Sequence, residues 1–170
     1  IFAQSTVAEP RLCAARMGQL VKGLGADHVV WGSDAVWTGA PQWRIEALRP
    51  LGLQNLGHVD RARLVRLFQA ARIFVYPSFY EGFGLPPAEA LACGLPTVVS
   101  NTSSLPEVVG QAGVLVPPRD ATALAVALQK LLADPGRERE LRARAVEQAA
   151  RFTWDRAARE MEEVFAEALR

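Results

Sequence analysis

The chain is 170 residues long, half of them hydrophobic and 22% charged, a composition that builds one domain with a real core and excludes both a disordered chain and a pair of ordinary enzyme domains. Its 19 basic and 18 acidic residues leave a formal charge of only +1, so no net field draws it toward nucleic acid or an anionic membrane. No apolar run reaches the ~20 residues that a membrane-spanning helix requires.

Short β-rich apolar runs alternate with longer stretches of helical period, the pattern of βα units building a parallel sheet. The expected fold class is therefore α/β, a Rossmann-like parallel sheet flanked by helices. Along the chain, the first candidate strand is 29–32, with a weaker one at 53–56. A helix over 61–71 precedes a strand at 73–77 and a helix at 87–93. The strand 96–100 then leads to a helix at 105–110, and the strand 113–116 to a helix at 121–133. Asp134-Pro135-Gly136 reads as a turn-forming break, followed by helices over 137–150 and 154–169.

Asp120 and Thr153 stand where a side-chain oxygen can accept from the free amides of the next helix. Ser104-Leu105-Pro106-Glu107 has capping-box spacing, which marks a helix start just after the strand ending at Ser100. Cys13 and Cys93 are the only cysteines, and without a secretory signal they are expected as free thiols in a reducing cytoplasm. Peripheral attachment to a membrane through another domain stays open.

The segment from Tyr76 to Glu89, YPSFYEGFGLPPAE, passes from a strand through a glycine-containing loop into a helix. In open α/β sheets ligands sit beyond the carboxyl ends of strands, where free amides and the helix dipole favour negative charge. Gly82 and Gly84 let a backbone come close, and Pro86 and Pro87 suit a first helical turn because they lack the amide that would go unpaired there. Glu89 is expected in that first turn. A carboxylate that accepts two hydrogen bonds is a natural partner for a vicinal diol such as a ribose, the role open to Glu89. One nearer the loop can orient sugar hydroxyls or face the positive charge that develops at an anomeric carbon, the role open to Glu81. Taken singly, each Glu reads more simply as a solvated loop residue or a complement to a helix dipole.

The surrounding run decides between these readings. Glu81 and Glu89, with Tyr-Pro-Ser before them and Gly-Phe-Gly-Leu-Pro between, resemble the Glu-seven-residues-Glu motif of retaining glycosyltransferases of the family 4 type. The similarity runs on through Leu56-Gly57-His58-Val59, Ala71-Arg72-Ile73-Phe74-Val75, Glu89-Ala90-Leu91-Ala92-Cys93-Gly94 and Leu105-Pro106-Glu107-Val108. It implies the C-terminal half of a GT-B glycosyltransferase over residues 52–170, binding a nucleotide diphosphate sugar with no metal ion and no other cofactor. Carried over by position, Glu89 would hold the ribose hydroxyls, Glu81 would be the catalytic residue at the donor sugar, and the amides of Phe83, Gly84 and Leu85 would bind sugar and diphosphate. The acceptor-binding N-terminal half would lie outside these residues, leaving the chain alone a poor transferase.

Residues 1–49 depart from that pattern. The Arg and Lys with which the family clamps the diphosphate have no counterpart here. The stretch Gly25-Ala26-Asp27-His28-Val29-Val30-Trp31-Gly32-Ser33-Asp34 instead resembles the last barrel strand of TIM-barrel metal-dependent amidohydrolases, in which an Asp placed like Asp34 serves the metal or the attacking water. The expected division is thus 1–50, amidohydrolase-like and supplying one helix and one strand, and 51–170, the nucleotide-sugar-binding domain. A hydrolase site needs further ligands, whereas His28 and His58 are the only histidines and read as surface or packing residues. Asp34 then reads as a turn residue or cap. Two rival functions remain beside the transferase: an amidohydrolase fragment centred on Asp34, and a non-catalytic module docking through an apolar surface.

Overall fold

The computed structural model describes residues 30–31, 54–56 and 59–169. In chain order these form β1 (Val30–Trp31), β2 (Gln54–Asn55), α1 (Arg61–Ala70), β3 (Phe74–Tyr76), α2 (Leu85–Ala92), β4 (Thr97–Ser100) and α3 (Leu105–Val109). A 3-10 turn at Gly110–Ala112 leads to β5 (Gly113–Val116), α4 (Ala121–Ala133), α5 (Pro135–Ala149) and α6 (Trp154–Ala168). The parallel sheet flanked by helices expected from the sequence is what these residues build. Strands β3, β4 and β5 are parallel with β4 in the centre, pairing Val75 with Val98 and Val98 with Val114. Val30 pairs with Gln54 in a separate parallel pair formed by β1 and β2. Cys13, His28, Asp34 and His58 lie outside the described residues.

The short apolar strands are buried because helices cover them. Every residue of β3 and β4 is buried, as parallel strands sandwiched between helices require. Phe74, Tyr76 and Val99 pack with Ala90 and Leu91 of α2, Leu105 and Val109 of α3, and Ala145 of α5. Phe68 of α1 meets Phe74 edge-on, ring centroids 5.4 Å apart. Fully buried side chains such as Leu91 and Leu105 each stabilise the fold by about 2 kcal/mol. Helix α4 packs on β4 and β5 with Leu124, Leu128 and Leu131 buried.

Four helices begin on the same device, an oxygen three residues ahead of a free amide. Asp60 accepts from Arg63, Asp120 from Ala123, Asp134 from Arg137 and Thr153 from Arg156. The caps foreseen at Asp120 and Thr153 are present. The supposed break at 134–136 is instead a junction of one residue: Asp134 caps α5, and Pro135 takes the first helical position, where its missing amide costs nothing. Helix α6 forms as expected but buries none of its residues, leaving Trp154, Met161 and Phe165 exposed.

Two polar side chains of α5 tie the layers together. The buried Gln148 donates its amide to the carbonyls of Glu107 and Val108, satisfying the C-terminal end of α3. Arg142 donates to the carbonyls of Ala71, Arg72 and Gly94, gathering the segments that lead into β3 and β4, and also to Glu138. Glu138 accepts in turn from Arg72 at 2.7 Å. Burial alone would raise the Glu138 carboxyl, but the hydrogen bonds and charges of Arg72 and Arg142 outweigh it and hold the group below its ordinary value of 4.5.

Replacing Arg142 by Met leaves partly buried carbonyls without a donor and lowers the unfolding free energy by roughly 2–3 kcal/mol in urea titrations. A folded-state pKa below the unfolded one gives stability that is full above about pH 4.5 and lost as pH falls through the lower, folded value. Glu138→Gln therefore flattens the acid limb of the stability profile below about pH 4.5, measured by the same titrations across pH.

Candidate functional site

Because β3, β4 and β5 run parallel, the loops that follow them leave from one edge of the sheet. These are residues 77–84, 101–104 and 117–120. The first carries the glycine run, and its chemistry starts with two hydroxyls. Tyr76, the last residue of β3, and Ser78 both donate to one carboxylate oxygen of Glu81, each at 2.7 Å. Glu81 is half-buried, so it is held in place rather than left as a solvated loop residue. Its second carboxylate oxygen has no protein donor among the described residues.

The loop turns into α2 through Gly84, which has φ +96° and sits where an added Cβ would lie 2.9 Å from Leu105 Cδ2. A left-handed residue there lets the helix start at Leu85, two residues earlier than the sequence pattern indicates. Glu89 therefore stands in the second turn of α2, not the first, correcting the expected position. The early start also puts Pro86 and Pro87 inside the first turn, where they supply no amides. The donors at this helix mouth are instead the amides of Phe83, Gly84 and Leu85, which find no acceptor among the described residues. This is the group singled out from the sequence.

Glu89 is half-buried and its side chain makes no hydrogen bond among the described residues. One turn on, burial first and the Glu89 charge second push the Cys93 thiol above its ordinary value of 9.0. A thiol shifted in that direction stays protonated at neutral pH. Two aromatic contacts fix the rim of the site. The Phe83 ring meets Phe152 edge-on, centroids 5.4 Å apart, and Arg119 lies over Phe79 at 5.5 Å, joining the loops after β5 and β3.

The second loop holds residues that the sequence reading missed. Ser103 accepts from the Glu81 amide at 3.0 Å. The Ser104 hydroxyl lies 2.8 Å from the Phe83 carbonyl and 3.1 Å from that of Glu81. Ser104 occupies the N-cap position of α3 but makes no capping bond, so the capping box expected from its spacing is not formed. Its proton goes to the neighbouring loop instead. Ser103 has φ +50°, the one non-glycine residue with positive φ among the described residues, a conformation that costs on the order of 1 kcal/mol. No group of three or more His, Cys, Asp or Glu that could hold a metal occurs among the described residues. None of their helices is long and apolar enough to cross a membrane.

With this geometry in view, comparison with known proteins is specific. The family described as glycosyl transferases group 1 matches residues 49–152. The chain is 43% identical over 125 residues to the O-antigen chain mannosyltransferase B of Escherichia coli, a match covering 74% of this chain and 32% of that protein. It is 41% identical over 119 residues to a glycogen synthase of Mycobacterium tuberculosis, covering 68% of this chain and 28% of the relative. Among solved structures, the sucrose-phosphate synthase of Thermosynechococcus elongatus superposes with a TM-score of 0.77 at 29% identity, covering 99% of this chain and 45% of that one. The chain thus spans about a third of the length of the matched mannosyltransferase.

The geometry of the two glycines predicts unequal responses to the same change. Gly84→Ala forces a left-handed backbone and a clash with Leu105, lowering stability by about 2–3 kcal/mol in thermal or urea unfolding. Gly82→Ala meets nothing within 4 Å and stays within about 0.5 kcal/mol of the parent.

Proposed function

The chain belongs to the group 1 glycosyl transferases, and from that premise we propose that it is the donor-binding half of a retaining transferase that moves a hexosyl group from a nucleotide diphosphate sugar. The observation that carries this reading is the Glu81 carboxylate, anchored by Tyr76 and Ser78 beside the free amides of residues 83–85 at the mouth of α2. The relatives named above include a mannosyltransferase and a glycogen synthase, both of which fit hexosyl transfer.

In this reading two charges develop together. As the glycosidic bond breaks, its electron pair leaves with the diphosphate oxygen, and the amides of Phe83, Gly84 and Leu85 with the α2 dipole stabilise the growing negative charge. The anomeric carbon becomes positive, and the Glu81 carboxylate faces it while accepting from sugar hydroxyls. Tyr76 and Ser78 occupy one oxygen and so fix the direction of the other. Glu89, deeper along α2, accepts from the ribose diol. The two carboxylates meet on one ligand in this scheme, with no metal ion taking part.

The acceptor belongs to the other half of the polypeptide, which would close the cleft and exclude water. Residues 51–170 are then the donor domain, and 1–50 an added segment of amidohydrolase-like sequence that contributes β1 beside β2. Alone, the chain transfers poorly but binds donor. Isothermal titration with uridine and guanosine diphosphate sugars gives weak heat that vanishes in Glu89→Ala. Glu81→Gln keeps affinity for the nucleoside diphosphate and loses the increment due to the sugar. No heat from any nucleotide sugar contradicts the proposal.

A further inference from the structure

Ser103 and Ser104 lie outside the Glu-to-Glu motif, yet they hold its loop by the backbone. Glu81 donates its amide to Ser103 at 3.0 Å, and the Ser104 hydroxyl lies within reach of the Glu81 and Phe83 carbonyls at 3.1 and 2.8 Å. Three peptide groups of the loop are thereby tied to a turn more than twenty residues further along the chain. The next residue, Leu105, packs so closely on Gly84 that no Cβ fits between them.

Each serine gives something up locally to make these contacts. Ser103 takes a left-handed conformation that suits glycine better. Ser104 stands at the start of α3 but leaves the helix amides without a side-chain cap. A turn that only joined β4 to α3 would need neither sacrifice, and both serve the same short loop. A left-handed backbone at Ser103 and a missing cap at Ser104, both serving one neighbouring loop, point to a positional requirement there.

We propose that Ser103 and Ser104 are positioning residues: a two-hydroxyl clamp that sets the backbone of residues 81–84 so that the Glu81 carboxylate and the loop amides meet the sugar and diphosphate of the donor. The clamp rests on the donor-site reading above and adds to it which groups, outside the motif, give the loop its working shape. It acts on sugar and diphosphate rather than on the nucleoside, because Glu89 lies on α2 and makes no contact with either serine.

The test separates positioning from stability by measuring, for each variant, the affinity for a nucleotide diphosphate sugar divided by that for the matching nucleoside monophosphate. Uridine and guanosine pairs serve as probes in isothermal titration, with melting temperature recorded alongside. Ser103→Gly removes the acceptor but relieves the backbone, so its melting temperature stays at or above the parent value while the ratio falls about tenfold. Ser104→Ala lowers the ratio by a similar factor, and Ser104→Thr, which keeps a hydroxyl, restores it. A parent chain that discriminates between the two probes, with Ser103→Gly and Ser104→Ala giving unchanged ratios, overturns the clamp and leaves the donor site standing. A parent chain that binds none of the probes overturns donor site and clamp together.

Discussion

A strand buried on both faces has no room for chemistry except at its ends, and that constraint organises this protein. Every position of β3 and β4 is buried, so polar groups that must meet a ligand can only gather where the strands stop. Parallel pairing then sorts the ends, placing all the outgoing loops at one edge and all the incoming segments at the other. The outgoing edge holds Glu81, the glycine run, the two serines and Arg119. The incoming edge holds the backbone carbonyls of Ala71, Arg72 and Gly94.

The two edges are built differently, and the difference fits their uses. At the incoming edge, Arg142 and Glu138 consume donors and acceptors in mutual hydrogen bonds, leaving the bonding capacity satisfied internally. At the outgoing edge, three consecutive amides and one carboxylate oxygen are left without protein partners among the described residues. Groups whose hydrogen bonds are unmet within the protein can take them from a ligand, which makes them the natural recognition surface. The hydroxyls of Tyr76, Ser78, Ser103 and Ser104 shape that surface without occupying it.

Much of this was legible in the sequence for simple physical reasons. The β-branched runs at 73–77 and 96–100 had to be buried strands, and the acidic pair flanking a glycine run pointed to the ligand edge. What stayed hidden was tertiary. Gly84 reads as a loop residue, but whether it turns left-handed, and so starts α2 two residues early and moves Glu89 out of the first turn, depends on Leu105 packing against it. Ser104 fitted a capping rule that considers only its own helix. The carbonyls that claim its proton lie at Glu81 and Phe83, far enough back that local spacing carries no sign of them. Pro135 was misread for a related cause: a proline beside a glycine signals a turn unless an Asp stands ready to cap, as Asp134 does.

That one-residue junction between α4 and α5 leaves no slack in the chain. Because α4 is seated on β4 and β5 and α5 on α2, Asp134 acts as a coupling between two shafts whose angular phase is set. An extra residue inserted there would change the offset and direction with which α5 leaves α4, carrying Arg142 and Gln148 off the carbonyls they serve. Length variation in this lineage should therefore be rare at the coupling and concentrate in loops that join elements less tightly.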